Sequence, residues 1–487
     1  VSLRSPRPAD LARYRPILET TLATAARRGQ EVWLCGGTLR DLFLGLPPPD
    51  VDLAVNGDAM ALGRAIAEAG GARFVALKEA NATCRLVREG WWLDLAGLRA
   101  PSLEQDLRAR DFTVNALAWE LGAFLAGEGS LIDPTGGLND LQNRSLRAAG
   151  PGVLREDTLR VLRAFRFVAT HGLNLTHDMP DRLRAAAPGL RGVAPERVGH
   201  EWLLMAGGER AAQAMMGLEE TGALGILLPA LEAGRGVQQN PYHHLDVLGH
   251  SLAAARALGA ISAEPTAYWQ APQGAEISAC LALPSRRALV MTAALLHDLG
   301  KPVTREERGP GEATFYRHDL AGSDLARAAC RDLGLSKNEA GLVALLVREH
   351  MRPFFLLADF RRGRLSNRAV RRLLVAAGEH LPGLMALALA DTMAGRGPQR
   401  PPEVEDQLRL LYAQVAELRD RELAAALAAP PLISGHDVMN SLGLESGPLV
   451  GEVLRRVREA QLEGQIKTRE EALALARNVI GYEQSGD

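Results

Sequence analysis

Residues 36–52 read GGTLRDLFLGLPPPDVD, with two glycines ahead of Arg40-Asp41 and two carboxylates, Asp50 and Asp52, closing the segment as a D-x-D. Side chains alternate across a strand, so a strand through this segment turns Asp50 and Asp52 to the same face. Paired carboxylates can hold a pair of hard cations, as phosphoryl and nucleotidyl transfer require. Just upstream, EVWLCGG (31–37) reads as a buried strand ending in a glycine turn, and LRDLFLG as the start of a helix. Gly36 and Gly37 let backbone N–H groups approach a triphosphate at such a helix start. A D-x-D alone is as often a solvated acidic turn, but the glycine pair and Arg40 give it a context.

The chain has 487 residues, too many for one core, and the length suggests about three domains. Lys and Arg total 56 against 58 Asp and Glu, a net charge of −2, so any nucleic-acid surface must be a local patch. The four cysteines, Cys35, Cys84, Cys280 and Cys330, are far apart and form no C-x-x-C. That spacing argues for a reducing cytoplasm and against a disulfide frame or structural zinc. No signal peptide and no apolar run near the membrane-spanning length is read, so neither a membrane nor a secreted protein is expected.

Outward from the D-x-D, residues 1–30 read as a lead-in helix, and strands are expected in EVWLCGG, VDLAV, RFVAL, TCRLV, WWLDLAGL and SLIDPTG. The class is an α/β head with a small sheet (1–150), then mostly α-helical segments: a neck (151–235), a histidine-rich block (240–395) and a tail module (404–487). Residues 257–287, rich in turn formers, read as a loop insertion, and 404–428 as one long amphipathic helix.

Asp94, in WWLDLAGL, offers a third carboxylate for a two-metal site. In LRARDFTVNALAW (107–119), Arg108, Arg110 and Asp111 precede an expected apolar helix, with Asn115 one turn on; the arginines suit a triphosphate. In EDTLRVLRAFRF (156–167), Asp157 and Arg160 are expected as i, i+3 neighbours on a helix, with Arg163 and Arg166 continuing that face. An Asp and an Arg held together can match the hydrogen-bonding edge of a base. Glu196, Arg197 and Glu201, in PERVGHE, are expected to brace that helix.

The order GG-x-x-RD, D-x-D, RDFTVNALA, IDPTGGLNDL, EDTLRVLRAFRF and ER-x-x-x-E resembles the class II tRNA nucleotidyltransferases, the CCA-adding enzymes and bacterial poly(A) polymerases of the polymerase β superfamily. The resemblance covers 31 to about 235. It implies that Asp50 and Asp52 bind metal, Mg²⁺ in the head, and that Gly37, Arg40, Arg110, Arg160 and Arg163 contact a nucleotide, with Asp157 and Arg160 reading its base. CTP, ATP and tRNA are the implied partners. Ala109 stands where many relatives carry a second arginine, and Arg108 is the expected substitute. The stretch from Leu95 to Ala109 carries no long mobile segment, so one fixed pocket, adding only C or only A, is the expectation. A poly(A) polymerase, or an HD phosphohydrolase with a silent head, are the alternatives.

Further along, HHLDVLGHS, ALLHDLGK, FYRHDL, VREHM and ALADTMA resemble an HD-type phosphohydrolase domain, matched at His250, His297, Asp298, His318, His350 and Asp391. Such a ligand set suits a divalent metal such as Mn²⁺, Ni²⁺ or Fe²⁺. His243 and His244 are expected to be structural or to support the ligands from behind. In the tail, Gly447 and Pro448 should start a helix whose Arg455, Arg456 and Arg458 could face RNA phosphates.

Overall fold

The computed structural model describes residues 3–78, 83–88, 90–309, 312–423, 429–462 and 464–484. The chain divides into one unit of Val1–Glu201 with Gly217–Leu227 and another of Trp202–Met216 with Leu228–Asp487.

In the first unit the apolar alternations form strands β1 (Val32–Cys35), β2 (Val51–Val55), β3 (Arg73–Lys78), β4 (Thr83–Arg88) and β5 (Trp91–Gly97), joined by β6 (Ala118–Glu120). The sheet runs β3-β4-β5-β2-β1-β6, with β2 and β5 parallel and the other pairs antiparallel. Val51, Leu53, Val55, Leu93 and Leu95 are buried on one face, against which the helix Ala59–Gly70 packs. The alternating residues Asp52 and Asp94 therefore face the other side. The register does the rest: Asp52 lies beside Asp94, and Asp94 beside Arg85 of β4.

Three expectations change here. No apolar helix follows Asp111: a single 3₁₀ turn, Thr113–Asn115, leads into β6, because the free edge of β1 captures Ala118 and Trp119 as ladder partners of Cys35 and Leu34. SLIDPTG is not a strand, since Ile132 makes only an isolated bridge to Ala118. Asp157 is not on the arginine helix. It lies between the short helix Val153–Glu156 and the helix Leu159–His171, with extended backbone (φ −140°, ψ 99°).

Among its described residues the second unit is helical apart from a ribbon pairing Arg305–Gly309 with Glu312–Phe315, which the surrounding helical pattern concealed. The stretch 257–287 is not a loop insertion. It completes the helix Val247–Ala263 and forms Pro265–Tyr268, Gln273–Ala282 and the start of Pro284–Leu296. Pro265 and Pro284 sit in first turns, where proline begins a helix rather than breaking one. Trp269 packs edge-on against Tyr412, and Glu276 accepts from Tyr412 Oη and Arg419. The helix expected over 404–428 runs from Val404 to Leu418 and loosens into a π turn at Arg419–Leu423; 424–428 lie outside the described residues. In the tail, Arg455 and Arg456 of the helix Pro448–Leu462 pair with Glu452 and Glu459 and Arg458 donates to the Ala429 carbonyl, so these arginines are engaged inside the module. By length and composition Asn367–Ala394 could span a membrane, contrary to the sequence reading, but 67% of its most apolar window is buried in the protein, as in a core helix.

Candidate active site and metal clusters

The first site begins at the turn after β1. Gly36 has φ +66°, and a Cβ there would lie 2.9 Å from Arg110 Nη1 and 3.1 Å from Asp52 Oδ2. Glycine is therefore required by conformation and by space. The next amide, Gly37 N–H, donates to Asp52 Oδ2 at 3.1 Å, and Asp52 N–H donates to Thr38 Oγ1 at 2.7 Å. The glycine turn thus aims the second carboxylate of the D-x-D. Asp50 accepts from Trp92 Nε1 at 3.2 Å, and Asp94 from Arg85 Nε and Nη2, both at 2.7 Å. One ligand oxygen from each of Asp50, Asp52 and Asp94 falls within 4.8 Å of the others.

Burial, then the charge of Asp50, raises the Asp52 carboxyl to about 6. Three carboxylates this close, with one forced toward its neutral form, fit a hard divalent cation such as Mg²⁺. Without the cation, the folded chain keeps this proton between the ordinary carboxylate range and about pH 6, where the unfolded chain has lost it. Stability therefore falls as pH rises through that window, and a metal that displaces the proton reverses the trend. Added Mg²⁺ is expected to raise the melting temperature more near neutral pH than at about pH 5. An equal gain at both would take Asp52 out of the metal site.

Asp52 and Asp94 line a cleft of about 330 Å³ together with Arg99, Arg110, Asp111, Asn115, Asp157, Arg160, Arg163 and Arg197. Arg110 sits over Cys35 Sγ (3.2 Å) and Asp106 (3.4 Å). Arg160 donates to the Val153 carbonyl at 2.9 Å, and Asp157 accepts from Arg197 at 2.7 Å. Asp157 and Arg160 thus share the cleft without sharing a helix face. Arg40 is not on the lining: its Nη1 donates to Asn115 at 2.7 Å and its Nε to Asp41 at 2.8 Å, which makes it a strut beneath the site. Arg108 is exposed and off the cleft, and Arg99 lines it instead. Arg99 and Arg85 escaped the sequence reading; Arg85, a lone cation inside the apolar strand TCRLV, was the available signal. Arg163 donates to Asp111 (2.6 Å) and to Glu201 (2.9 Å), and Arg166 to Glu201 (2.5 Å), so Glu201 braces the helix as expected. Burial opposes the charge on Asp111, but Arg163 and the bonds from Asn115 and the Phe112 amide hold it well below the usual carboxylate range.

The second site lies in the helical unit. His250, on Val247–Ala263, places Nε2 2.9 Å from Asp391 Oδ1, and His297 places Nε2 3.2 Å from Asp298 Oδ2. His318 and His350 approach the opposite oxygen of Asp298, at 3.5 and 3.8 Å. His243, expected to be structural, joins the cluster with His250 and Asp391. His244 does not: its Nδ1 accepts from the Arg396 amide. Lys301, from the HDLGK run, sits 2.7 Å from Asp298 Oδ2. The buried Nε2 of His297 makes no well-aligned hydrogen bond and faces the carboxylates of Asp298 (3.2 Å) and Asp391 (3.7 Å), an arrangement that suits a shared metal ion.

Family profiles match four stretches: "Poly A polymerase head domain" at 32–147, "Probable RNA and SrmB- binding site of polymerase A" at 172–234, "HD domain" at 247–394 and a tRNA nucleotidyltransferase domain 2 profile at 421–476. An A-adding tRNA nucleotidyltransferase of Deinococcus radiodurans is 35% identical over 91% of this chain and 94% of its own. The chain belongs to the tRNA nucleotidyltransferases. Within that enzyme family it is also 35% identical to a CC-adding tRNA nucleotidyltransferase of Thermus thermophilus, over 90% of this chain and 91% of that one. A Multifunctional CCA protein of Xanthomonas campestris pv. campestris is 31% identical, over 89% and 98%. Among solved structures, a tRNA-processing enzyme in its apo form I superposes with a TM-score of 0.58 at 19% identity, covering 96% of this chain and 100% of that one. The Bacillus stearothermophilus CCA-adding enzyme in complex with CTP gives 0.54 at 22%, covering 97% and 98%; both share the fold of this nucleotidyltransferase.

Proposed function

We propose that this nucleotidyltransferase adds C or A residues to the 3′ end of tRNA from CTP or ATP. The observation that carries the reading is the convergence of Asp50, Asp52 and Asp94 at the mouth of an arginine-lined cleft. Asp50, Asp52 and Asp94 would hold the Mg²⁺ ions, which supply charge stabilisation and activation of the attacking hydroxyl in nucleotidyl transfer. Arg110 and Arg99 face the triphosphate, where their guanidinium groups pair with phosphate oxygens. Asp157 and Arg160 present an acceptor and donors to the base, so side chains choose the nucleotide. Gly36 and Gly37 keep the backbone low enough for a nucleotide to reach Asp52. Relatives named CC-adding, A-adding and Multifunctional CCA favour this over poly(A) synthesis.

The reading extends to partial addition. Between β5 and Arg110, Asp106 accepts from Arg99 N–H and Nε and from Arg110 Nε, which pins the stretch Leu95–Ala109 in one arrangement. A pocket with no bistable element there keeps one base-reading geometry. The test uses purified protein and tRNAs ending before the CCA, after C and after CC, each offered one labelled nucleotide at a time. Addition of only C residues or only the terminal A is expected; completion of CCA on the shortest tRNA rules out partial addition. No addition to any of the three rules out the main reading. In the same assay Asp157→Ala should change the ratio of C to A incorporation more than it slows the preferred nucleotide. The four segments 1–150, 151–235, 240–395 and 404–487 would serve as catalytic head, RNA-binding neck, metal-dependent phosphohydrolase and tRNA-contacting tail, all in the cytoplasm.

A further inference from the structure

The flank of the carboxylate group that lies away from the arginine cleft carries an open aromatic ring. Strands β2 and β5 run parallel, with Asp52 beside Asp94. From that pair the cleft continues toward the C-terminal ends of both strands, past Leu53, Ala96 and Arg99. Asp50 and Trp92 lie on the N-terminal side and are not on its lining. Trp92 shares a face of β5 with Asp94, because the two alternate along the strand. It is 38% exposed, and among the described residues it is the one exposed tryptophan. The ring is nevertheless fixed. Its Nε1 donates to Asp50 Oδ2 at 3.2 Å. Arg85 Cζ lies 5.5 Å over the ring centroid, while the Nε and Nη2 of Arg85 hold Asp94. An indole left open forgoes the burial that a tryptophan otherwise gains, so a ring anchored in place yet exposed beside a reaction centre points to a ligand that covers it.

We propose that Trp92 is the stacking platform for the 3′-terminal base of the tRNA. The proposal rests on the reading of nucleotide addition to tRNA and deepens it. In nucleotidyl transfer the attacking hydroxyl and the leaving pyrophosphate lie in line across the α-phosphorus. With the triphosphate among the cleft arginines, the 3′-hydroxyl comes to the carboxylates from the other flank, where Asp50 and Trp92 stand. The ribose that bears this hydroxyl also bears the terminal base, so a ring hydrogen-bonded to Asp50 is within reach of that base. The base takes the face of the indole that Arg85 leaves open, and Arg85 fixes the tilt of the ring and couples it to Asp94. Stacking accepts any base, because every base has a π-face. Such a platform suits a substrate whose last residue changes with each addition, and it leaves the choice of the incoming nucleotide to the cleft.

The test uses the full chain, without nucleotide, and a tRNA whose 3′-terminal base is 2-aminopurine, a fluorescent base that stacking on an indole quenches. Binding of the unaltered protein is expected to quench it. Trp92→Ala should lose most of the quench and raise KM for tRNA about tenfold, with KM for the nucleotide unchanged. Trp92→Phe keeps a π-face and lacks the indole N–H, so it should keep most of the quench and most of the tRNA affinity. Circular dichroism checks that each variant is folded; Trp92→Leu, apolar and without a π-face, takes the place of the alanine variant if that one is not. Equal losses in the phenylalanine and alanine variants would show that the indole serves Asp50 through its N–H, and would overturn the platform. An unaltered protein that adds nucleotides yet leaves the terminal 2-aminopurine unquenched also overturns it and leaves the tRNA reading standing. A protein that neither binds tRNA nor adds to it overturns both.

Discussion

Asp52→Asn should abolish nucleotide addition while leaving tRNA binding intact. The substitution is nearly isosteric, and an amide oxygen can still accept from the Gly37 N–H that holds Asp52 at 3.1 Å. What is lost is the negative charge at the centre of the carboxylate group. A catalytic metal is worth several kcal/mol in the transition state, so a fall in kcat on the order of 10³-fold is expected. The Asn variant should also lose the pH dependence of the Mg²⁺-induced gain in melting temperature, since the carboxyl that titrates at about 6 is gone. The measurement is single-turnover addition to a tRNA ending one nucleotide short, beside a filter-binding isotherm with the same tRNA. Addition within about tenfold of the unaltered enzyme would mean that the D-x-D does not hold the catalytic ions.

Much of this site was legible because its parts are local. A glycine turn and a strand period of two fix where Asp52 points without reference to the rest of the chain, whereas Asp50 lies in the bend just before that strand and is held by Trp92 of β5. Asp94 was legible as a strand residue, but its place beside Asp52 depends on which strands pair and in what register, and so does the Arg85 that anchors it. Arg40 shows the same limit from the other side. Its motif suggests a nucleotide contact, yet Asn115, distant in sequence, draws its guanidinium below the cleft. In the helical unit the ligands were legible as a spaced set of His and Asp, whereas their division between the two oxygens of Asp298 is a fact of packing. The misread stretch 257–287 has a simpler cause. Proline marks both helix starts and loops, and only the burial of Gly274, Ile277, Cys280 and Leu281 on one helical face distinguishes the two.

The widest-reaching structural loss is expected from Glu201→Ala, a residue that touches no part of the carboxylate group. Glu201 is 5% exposed and takes Arg163 on one oxygen and Arg166 on the other. Arg163 in turn holds Asp111, Asp111 holds Asn115, and Asn115 holds Arg40, which pairs with Asp41 on the helix after the glycine turn. The separate motifs are thus successive members of one chain of ion pairs and hydrogen bonds, with the neutral Asn115 as its middle link. Removing its terminal anion leaves two arginines under-compensated in a largely desolvated setting. Breaking a buried pair in this way costs about 3 kcal/mol, a drop of roughly 10 °C in the melting midpoint of a unit of this size. Glu201→Gln keeps the shape and one acceptor oxygen, so a smaller loss of about 1–2 kcal/mol is expected. Below the melting transition, Glu201→Ala should lower kcat as well, since Asp111 and Arg163 both line the cleft beside the carboxylates. Differential scanning calorimetry of the two variants beside the unaltered chain decides the matter: an unchanged melting midpoint for Glu201→Ala would show that Arg163 and Arg166 find other partners, and that the motifs are not energetically joined through this carboxylate.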